Sequence, residues 1–141
     1  MYLAFIEKNW MLVLTLIASG AMLLWPLLGR RLSGGRDINT LRVTQLINAG
    51  NPLLLDLREP KEFDGRTIAN AVHLPLSQLK NRGTELAKYV SRPVIAYCDR
   101  GQRSHSAAAL LAKQGFKEIY HLSGGLKAWR DAGLPVQKSA T

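Results

Sequence analysis

The chain has 141 residues, one cysteine and a formal net charge of +9 at pH 7. This length allows one compact domain and little else. A single cysteine excludes an internal disulfide and a multi-cysteine zinc site, and no metal-ligand cluster stands out, so we expect no metal and no other cofactor. The positive charge would suit nucleic acid or anionic lipid, but no nucleic-acid-binding motif is present, so we expect no nucleic-acid partner.

The first notable segment runs from Trp10 to Gly29 and contains no charged residue. A helix over these 20 residues rises about 1.5 Å per residue and is therefore about 30 Å long, the thickness of the hydrocarbon core of a bilayer. Trp10 and Trp25 lie near its ends, as interfacial anchors do. The sequence predicts a transmembrane helix over residues 10–29, after an N-terminal flank over residues 1–9.

Two alternatives to a membrane span are a buried core helix and a cleaved signal peptide. A domain this small is a poor host for a helix that is apolar on every side. Ala18-Ser19-Gly20 resembles a cleavage site, but the run stays apolar through Leu28, and Lys8 beside Glu7 makes the start only weakly basic. These features favour the membrane span over both alternatives.

Basic residues are unequally placed around this segment. Only Lys8 precedes it, whereas Arg30, Arg31, Arg36 and Arg42 follow it. The positive-inside rule then places the C-terminal side in the cytoplasm, where a working thiol stays reduced. We expect a single-pass protein of the inner (plasma) membrane, with its N-terminus outside, its domain cytoplasmic and a membrane protein as a further partner.

The rest of the chain divides into a basic linker over residues 30–36, a globular domain over residues 37–136 and a C-terminal tail over residues 137–141. In the linker, residues 32–36 read as short and flexible. The elements expected in the domain are a helix over 41–49 capped by Thr40, strands over 52–56 and 71–75, a helix over 77–89 cut at Gly83, a strand over 94–97, a helix over 104–114, a strand over 118–122 and a helix over 126–132. Strands alternating with helices predict an α/β fold with a central parallel sheet flanked by helices.

The only cysteine, Cys98, directly follows the predicted strand over residues 94–97. Ser104 stands in the N-cap position of the next helix, which the alanine- and leucine-rich run over 107–112 favours strongly. Cys98 is therefore expected at a strand end, facing a helix N-terminus whose unpaired N–H groups and dipole stabilise an anion. A lone cysteine is more often a small buried hydrophobe than a nucleophile, so its neighbours decide between the two roles.

The residues between Cys98 and the helix favour a reactive thiol. Arg100 and Arg103 bring two cations near the sulfur, and Gly101 lets the backbone turn inward where a side chain would block it. Both features favour the thiolate, which is the nucleophilic form of cysteine. The sequence therefore predicts a catalytic Cys98.

The motif Cys98-x-x-Gly101-x-Arg103-Ser104 resembles the active-site loop of the rhodanese (sulfurtransferase) family. In that family the cysteine accepts a sulfane sulfur and becomes a persulfide. The loop also resembles that of cysteine-dependent phosphatases, whose signature has five residues between cysteine and arginine, whereas four stand here. The smaller ring suits a single sulfur added to the thiolate, so a phosphatase or arsenate reductase is a low-ranked alternative.

Three further stretches carry the same resemblance over about residues 38–136. They are Asp56-Leu57-Arg58-Glu59-x-x-Glu62-Phe63, Ala71-Val72-His73-Leu74-Pro75 and Leu122-Ser123-Gly124-Gly125-x-x-x-Trp129-x-x-x-Gly133-x-Pro135. The resemblance implies a rhodanese-like domain. In a parallel sheet its site would lie at the carboxyl ends of the strands, where Cys98 and Asp56 both fall.

The resemblance implies that Cys98 takes sulfur from a small donor, thiosulfate or a persulfide, and passes it to a thiol acceptor. Loop amides around Gly101 and Gln102, together with Arg103, would hold the terminal sulfur and its negative charge, as an oxyanion hole does. Arg100, at the loop apex, would recruit an anionic donor. These residues form the expected substrate-binding set, with Cys98 as the catalytic residue.

Arg58 is a second candidate for donor binding, and an equal alternative is a structural ion pair with Glu59 or Glu62. Asp56 is expected to brace the Cys98 loop by accepting its N–H bonds. Asp99 should oppose thiolate formation and repel a dianionic donor such as thiosulfate. The residues expected to support the loop are Asp56, Asp99 and Ser104.

A fold does not by itself give an activity. A non-enzymatic, membrane-anchored adaptor with an idle cysteine therefore remains an alternative function class. Substitution of Cys98 separates the two classes, because an adaptor would keep its function without the thiol.

Overall fold

The computed structural model describes residues 1–32 and 35–139, with side chains described for residues 1–26 and 35–139. The chain divides into two units, Met1–Leu32 and Ser33–Thr141. The first unit contains helices α1 (Tyr2–Lys8) and α2 (Trp10–Leu32), which break at Asn9. At this break Asn9 is the C-cap of α1, and its side-chain amide donates to the Phe5 carbonyl at 3.0 Å.

The helix expected over residues 10–29 lies within α2. Among the described residues, no single helix is both long and apolar enough to cross a membrane. Only the pair Tyr2–Lys8 and Trp10–Pro26, bent by 86° at the break, has the length and composition of a span. The transmembrane helix therefore stays a prediction.

The second unit is an α/β domain. Its elements are β1 (Gly35–Ile38), α3 (Thr40–Ala49), β2 (Leu53–Asp56), β3 (Arg66–Thr67), β4 (Val72–His73), α4 (Leu76–Arg82), a 3₁₀ helix (Gly83–Tyr89), β5 (Val94–Tyr97), α5 (Ser104–Gln114), β6 (Ile119–Leu122), α6 (Gly125–Asp131) and β7 (Gln137–Lys138). Within residues 35–139, five strands form a parallel sheet in the order β1-β6-β5-β2-β4, and β3 pairs with β7 in an antiparallel ribbon. The predicted parallel sheet is confirmed.

Every residue of the central strands β2 and β5 is buried, which shows that both faces of the sheet are covered. Alternate side chains of these strands face opposite cores. On one face, Leu79 of α4 and Leu111 of α5 pack against the sheet. On the other face, Val43 of α3 and Trp129 of α6 do the same. Each fully buried leucine contributes about 1.5–3 kcal/mol to the free energy of folding. The predicted flanking of the sheet by helices is confirmed.

The domain begins before the predicted boundary at residue 37. Gly35 and Arg36, expected in a flexible linker, lie in β1 and pair with Ile119 and Tyr120 of β6. Residues 30–32 of that linker belong to α2, and Ser33 and Gly34 lie outside the described residues. The two middle residues of β1 are exposed, so no apolar run marks this strand in the sequence.

The domain also ends later than predicted. Gln137 and Lys138, expected in a tail, form β7 and pair with Thr67 and Arg66. Both residues of β7 are exposed, which hides the strand from a search for apolar periodicity. Residues 140 and 141 of the predicted tail lie outside the described residues.

Two helix N-caps differ by one residue from those expected. The Asn39 side chain, rather than that of Thr40, caps α3 by accepting the N–H of Arg42 at 2.9 Å. Helix α5 starts at Ser104 itself, and Arg103 occupies the N-cap position without a side-chain cap bond. Because Ser104 is the first residue of the helix and not its N-cap, its hydroxyl does not cap the helix and can form a hydrogen bond elsewhere.

His121 of β6 is a buried titratable group, and its Nδ1 atom has no hydrogen-bond partner within the described part of the chain. Burial lowers the pKa of His121 to about 4, with help from the nearby His105, while Asp37 acts in the opposite direction. The rings of His105 and His121 lie 4.8 Å apart, and His105 Nε2 contacts Asp37 Oδ1 at 2.6 Å.

Acid should therefore destabilise the domain through His121. The unfolded chain takes up this proton near pH 6.5, whereas the folded chain does so only near pH 4, so the free energy of unfolding falls as pH falls through this window. From pH 7 to pH 4.5 the expected loss from this group is about 2 kcal/mol. Urea unfolding of wild type and His121→Gln at both pH values measures it, and an equal acid-induced loss in both proteins would contradict the assignment.

Candidate active site

Cys98 lies immediately after β5 and is 2% exposed. Its Sγ atom accepts the backbone N–H of Gly101 at 3.0 Å and that of Arg103 at 3.4 Å. Backbone N–H groups that converge on one atom form a site for negative charge. The loop therefore directs two hydrogen-bond donors at the sulfur, where negative charge develops when the cysteine reacts.

Gly101 has a φ of 88°, a left-handed conformation that favours glycine. This turn brings the Gly101 N–H to the sulfur and directs its carbonyl toward Ser104. The buried Ser104 hydroxyl donates to that carbonyl at 3.2 Å. Ser104, expected to support the loop, thus contacts it directly through the hydroxyl.

The start of α6 packs against the back of the same loop. The carbonyl of Cys98 accepts the N–H of Leu126 at 2.9 Å, and that of Asp99 accepts the N–H of Lys127 at 3.0 Å. A Cβ atom at Gly125 would lie 2.3 Å from the Cys98 carbonyl oxygen and 2.7 Å from the Gly101 nitrogen. In the sequence, Gly125 stands out only as part of a motif, and the paired glycines at a helix start are the signal for this contact.

A pocket of about 310 Å³ opens at the loop. Five residues expected at the site line this pocket, and Glu62, which was not expected there, lines it as well. The lining consists of Glu62, Cys98, Asp99, Arg100, Gln102 and Arg103. In the described part of the chain, no group of three or more His, Cys, Asp or Glu residues is placed to hold a metal ion.

The Arg103 side chain points to Glu62 and forms an ion pair with its Oε1 atom. The hydrogen bond with Glu62 raises the pKa of Arg103. The sulfur is contacted by the Arg103 backbone N–H instead, so the amide is the group placed to stabilise charge there. Glu62, expected from the sequence as a possible partner for Arg58, is instead part of the pocket lining.

Arg58 is not available to a donor, which corrects its expected binding role. Its side chain is 1% exposed, and its Nη2 atom contacts Asp56 Oδ2 at 2.7 Å and the Arg66 carbonyl at 2.5 Å. The alternative partners, Glu59 and Glu62, are also wrong, because a buried guanidinium needs a buried counter-charge and Asp56 supplies it.

Asp56 likewise differs from its expected role. Its Oδ1 atom accepts the backbone N–H and the Nε–H of Arg58, both at 3.0 Å, and no bond to the loop over residues 98–103 is found in the described structure. Asp56 therefore fixes the turn after β2, the strand next to β5, rather than bracing the Cys98 loop itself.

A substitution at Gly125 should loosen the Cys98 loop. Gly133 is a matched control, because Gly125 has a φ of 62° and Gly133 a φ of 72°, but only Gly133 has open space around it. Alanine at either position should lower the free energy of unfolding by about 1–2 kcal/mol, because a residue with a Cβ atom is strained in a left-handed conformation. Only Gly125→Ala should also speed amide hydrogen exchange over residues 99–103, by about tenfold for each 1.4 kcal/mol of lost protection. Equal exchange in both variants would refute the contact's role.

Comparisons with known proteins identify the family of this chain. The family model of the rhodanese-like domain matches residues 40–132. The uncharacterized protein YqhL of Bacillus subtilis is 49% identical over 76 residues, covering 54% of this chain and 59% of that protein. The chain thus spans only about three fifths of that relative's length.

Two further matches cover nearly whole proteins. Thiosulfate sulfurtransferase GlpE of Coxiella burnetii is 34% identical over 95 residues, covering 67% of this chain and 87% of that enzyme. A rhodanese-related protein of Thermoplasma volcanium has a crystal structure that is 30% identical, with a TM-score of 0.63, and covers 72% of this chain and 97% of its own. With a matching family model over most of its length and a cysteine loop of this geometry, the chain belongs to the rhodanese-like domain family.

Proposed function

We propose that this protein carries sulfane sulfur as a persulfide on Cys98, from a small anionic donor to a thiol or another nucleophile. The observation that supports this proposal most is the position of Cys98. Its sulfur accepts hydrogen bonds from two loop amides at 3.0 and 3.4 Å, and the residue lines an open pocket. Such donors stabilise charge on sulfur before and after the transfer without rearranging.

The transfer proceeds in two displacements. The Cys98 thiolate attacks the outer sulfur of the donor, a sulfur–sulfur bond forms, and the rest of the donor leaves with its bonding electrons, as sulfite or as a thiolate. An acceptor thiolate then attacks the terminal sulfur, and Cys98 leaves as a thiolate with the electrons of the broken bond. Each step exchanges one bond at sulfur for another, so no external oxidant or reductant is consumed.

The charge around Cys98 favours a persulfide over thiosulfate as donor. Asp99 and Glu62 bring two carboxylates to the pocket, and the Glu62 charge is already paired with Arg103. Asp99 has no ion-pair partner among the described residues, and it repels thiosulfate most strongly because both charges of that compact dianion lie next to the reacting sulfur. The 34% identity to an enzyme named thiosulfate sulfurtransferase supports sulfur transfer as the reaction class.

Intact mass measures the sulfur on Cys98. The full chain should gain the mass of one sulfur atom from glutathione persulfide, lose it again to cyanide, and gain less from thiosulfate at equal concentration. Cys98→Ser should gain nothing, because Cys98 is the only thiol in the sequence. No gain from either donor would reject the sulfur carrier and leave the adaptor as the better function.

We also propose that residues 1–32 attach the protein to the inner (plasma) membrane, with the N-terminus outside and the rhodanese-like domain in the cytoplasm. Large apolar side chains of α2 are exposed, including Trp10 at 58%, Leu16 at 75% and Trp25 at 77%. An apolar surface of this kind is costly in water and favourable in hydrocarbon. Membrane attachment would place the sulfur carrier near a membrane protein partner.

Vesicle flotation tests the attachment. The full chain should float with phosphatidylcholine vesicles after an alkaline carbonate wash, whereas a Leu16→Arg, Leu23→Arg variant should not. Each arginine near the centre of a span costs about 2.5–3.5 kcal/mol. Lys61→Arg is a surface control that should float like wild type, and release of the wild-type chain by carbonate would count against attachment.

A further inference from the structure

The end of the sheet opposite the active site carries a group of basic residues that the proposed sulfur transfer does not use. Two segments meet there, residues 88–93 before β5 and residues 113–118 before β6. The N–H of Val94 donates to the carbonyl of Glu118 at 2.9 Å, and a cavity of about 500 Å³ is lined by residues of both segments. The two segments therefore form one continuous surface, which we call the amino-end surface.

Positive charge predominates on the amino-end surface. The two segments contain one acidic residue, Glu118, and four basic residues, which are Lys88, Arg92, Lys113 and Lys117. The three lysines are exposed and Arg92 is half-buried. Within residues 1–26 and 35–139, none of the four basic residues has a carboxylate partner at salt-bridge distance. Their charge is therefore not neutralised by the described part of the protein.

Two of these cations are held close together by one aromatic ring. Lys88 Nζ lies 5.1 Å and Arg92 Cζ 5.2 Å from the centre of the Tyr89 ring. Both distances are within the range of cation–π attraction, which offsets part of the repulsion between the two cations. The ring therefore concentrates positive charge in one small area of the amino-end surface.

The helix dipoles account for only half of the basic residues. Lys88 and Lys113 lie in the last turns of their helices, where a cation stabilises the negative end of the dipole. Arg92 and Lys117 lie beyond the helix ends, and the dipole effect falls off within the last turn. An outside partner is therefore needed to explain a surface on which all four cations lie together.

The other end of the sheet has a different balance of charge. Arg58 pairs with Asp56 there, and Arg103 pairs with Glu62. Acidic residues lie in the second half of β1, at the end of β2 and in the loops after β2 and β5, and they are Asp37, Asp56, Glu59, Glu62, Asp64 and Asp99. An extended anionic surface is therefore attracted to the amino ends of the strands more strongly than to their carboxyl ends.

The chain enters the domain at the same amino end. β1 begins at Gly35, which pairs with Ile119 at the start of β6. The membrane attachment proposed for residues 1–32 would therefore hold the chain just before this end of the domain. Attachment raises the effective concentration of lipid at a nearby surface, so contacts that are weak one by one become occupied.

We propose that the amino-end surface binds anionic phospholipid headgroups. This inference deepens the proposed function and draws on its membrane attachment. The phosphate oxygens accept hydrogen bonds from the lysine and arginine side chains. Each basic residue close to an anionic bilayer strengthens binding by about fivefold. The pocket beside Cys98, which lies beyond the carboxyl ends of the strands, then faces away from the bilayer.

Lysine acetylation of the full chain measures this contact. The protein is added to vesicles of phosphatidylcholine, with or without phosphatidylglycerol, and treated with sulfo-N-hydroxysuccinimide acetate, which does not cross a bilayer. Peptide masses give the rate at each lysine. Lys113 and Lys117 should react at least about fivefold more slowly when phosphatidylglycerol is present. The difference should disappear in about 1 M salt, where the Debye length is about 3 Å.

Lys61 is the control within the same molecule. It is exposed and adjoins Glu62, which lines the pocket beside Cys98 at the carboxyl ends of the strands. Its rate should be the same on both kinds of vesicle. Equal slowing of Lys61 and Lys113 by phosphatidylglycerol would show a general effect of the charged bilayer on the reagent and would overturn the assignment to the amino-end surface.

Charge-reversal variants test which surface is responsible. An Arg92→Glu, Lys117→Glu variant should lose the slower acetylation of Lys113 on anionic vesicles. A Lys61→Glu, Lys127→Glu variant has the same change in net charge but alters exposed residues near the Cys98 loop, so it should keep the slower rate. Near-ultraviolet circular dichroism like that of wild type shows that each variant is folded. Loss of protection in both variants would contradict the inference.

The outcomes separate this inference from the proposed attachment. Flotation of wild type with both kinds of vesicle, but with equal acetylation of Lys113, would overturn the lipid contact and leave the attachment. Flotation with anionic vesicles alone, with Lys113 protected, would support the contact and overturn the apolar attachment. Flotation with neither would overturn both. Equal protection of Lys113 by polyglutamate would assign the surface to acidic polymers and overturn the lipid as its partner.

Discussion

The close approach of Gly125 to the carbonyl of Cys98 is the contact on which the site depends. No side chain fits between the two backbones, because a Cβ atom there would lie 2.3 Å from the carbonyl oxygen. The contact lets the first N–H groups of α6 bond the carbonyls of Cys98 and Asp99. With its carbonyls held from behind, the loop can turn its own amides at Gly101 and Arg103 toward the sulfur.

Much of this arrangement could be predicted from the sequence. The apolar run before Cys98 and the alanine-rich run after it predicted a strand and a helix, which are β5 and α5. A loop between such elements ends at the carboxyl edge of a parallel sheet, where ligands bind. The pocket accordingly contains Asp99, Arg100, Gln102 and Arg103 beside the cysteine.

The features that could not be predicted are ion pairs that depend on the folded chain and short strands whose residues are exposed. Nothing in the spacing shows that Arg58 folds back onto Asp56, because Arg58 lies beyond the end of β2, where no regular periodicity fixes the direction of its side chain. Glu62 reaches Arg103 across 41 residues of sequence. Strands β1 and β7 are stabilised by pairing rather than by burial, so their sequences carry no alternating pattern.

The parallel sheet has a consequence for how the protein can be handled. All five strands described in the sheet run the same way, so Gly35 lies at the amino ends of the strands and Cys98 lies just beyond their carboxyl ends. The four residues of a strand separate these two ends by about 13 Å. A support or fusion partner joined ahead of Gly35 would therefore attach at the amino ends of the strands, away from the pocket beside Cys98, and an immobilised domain could still present that pocket to a molecule as large as another protein.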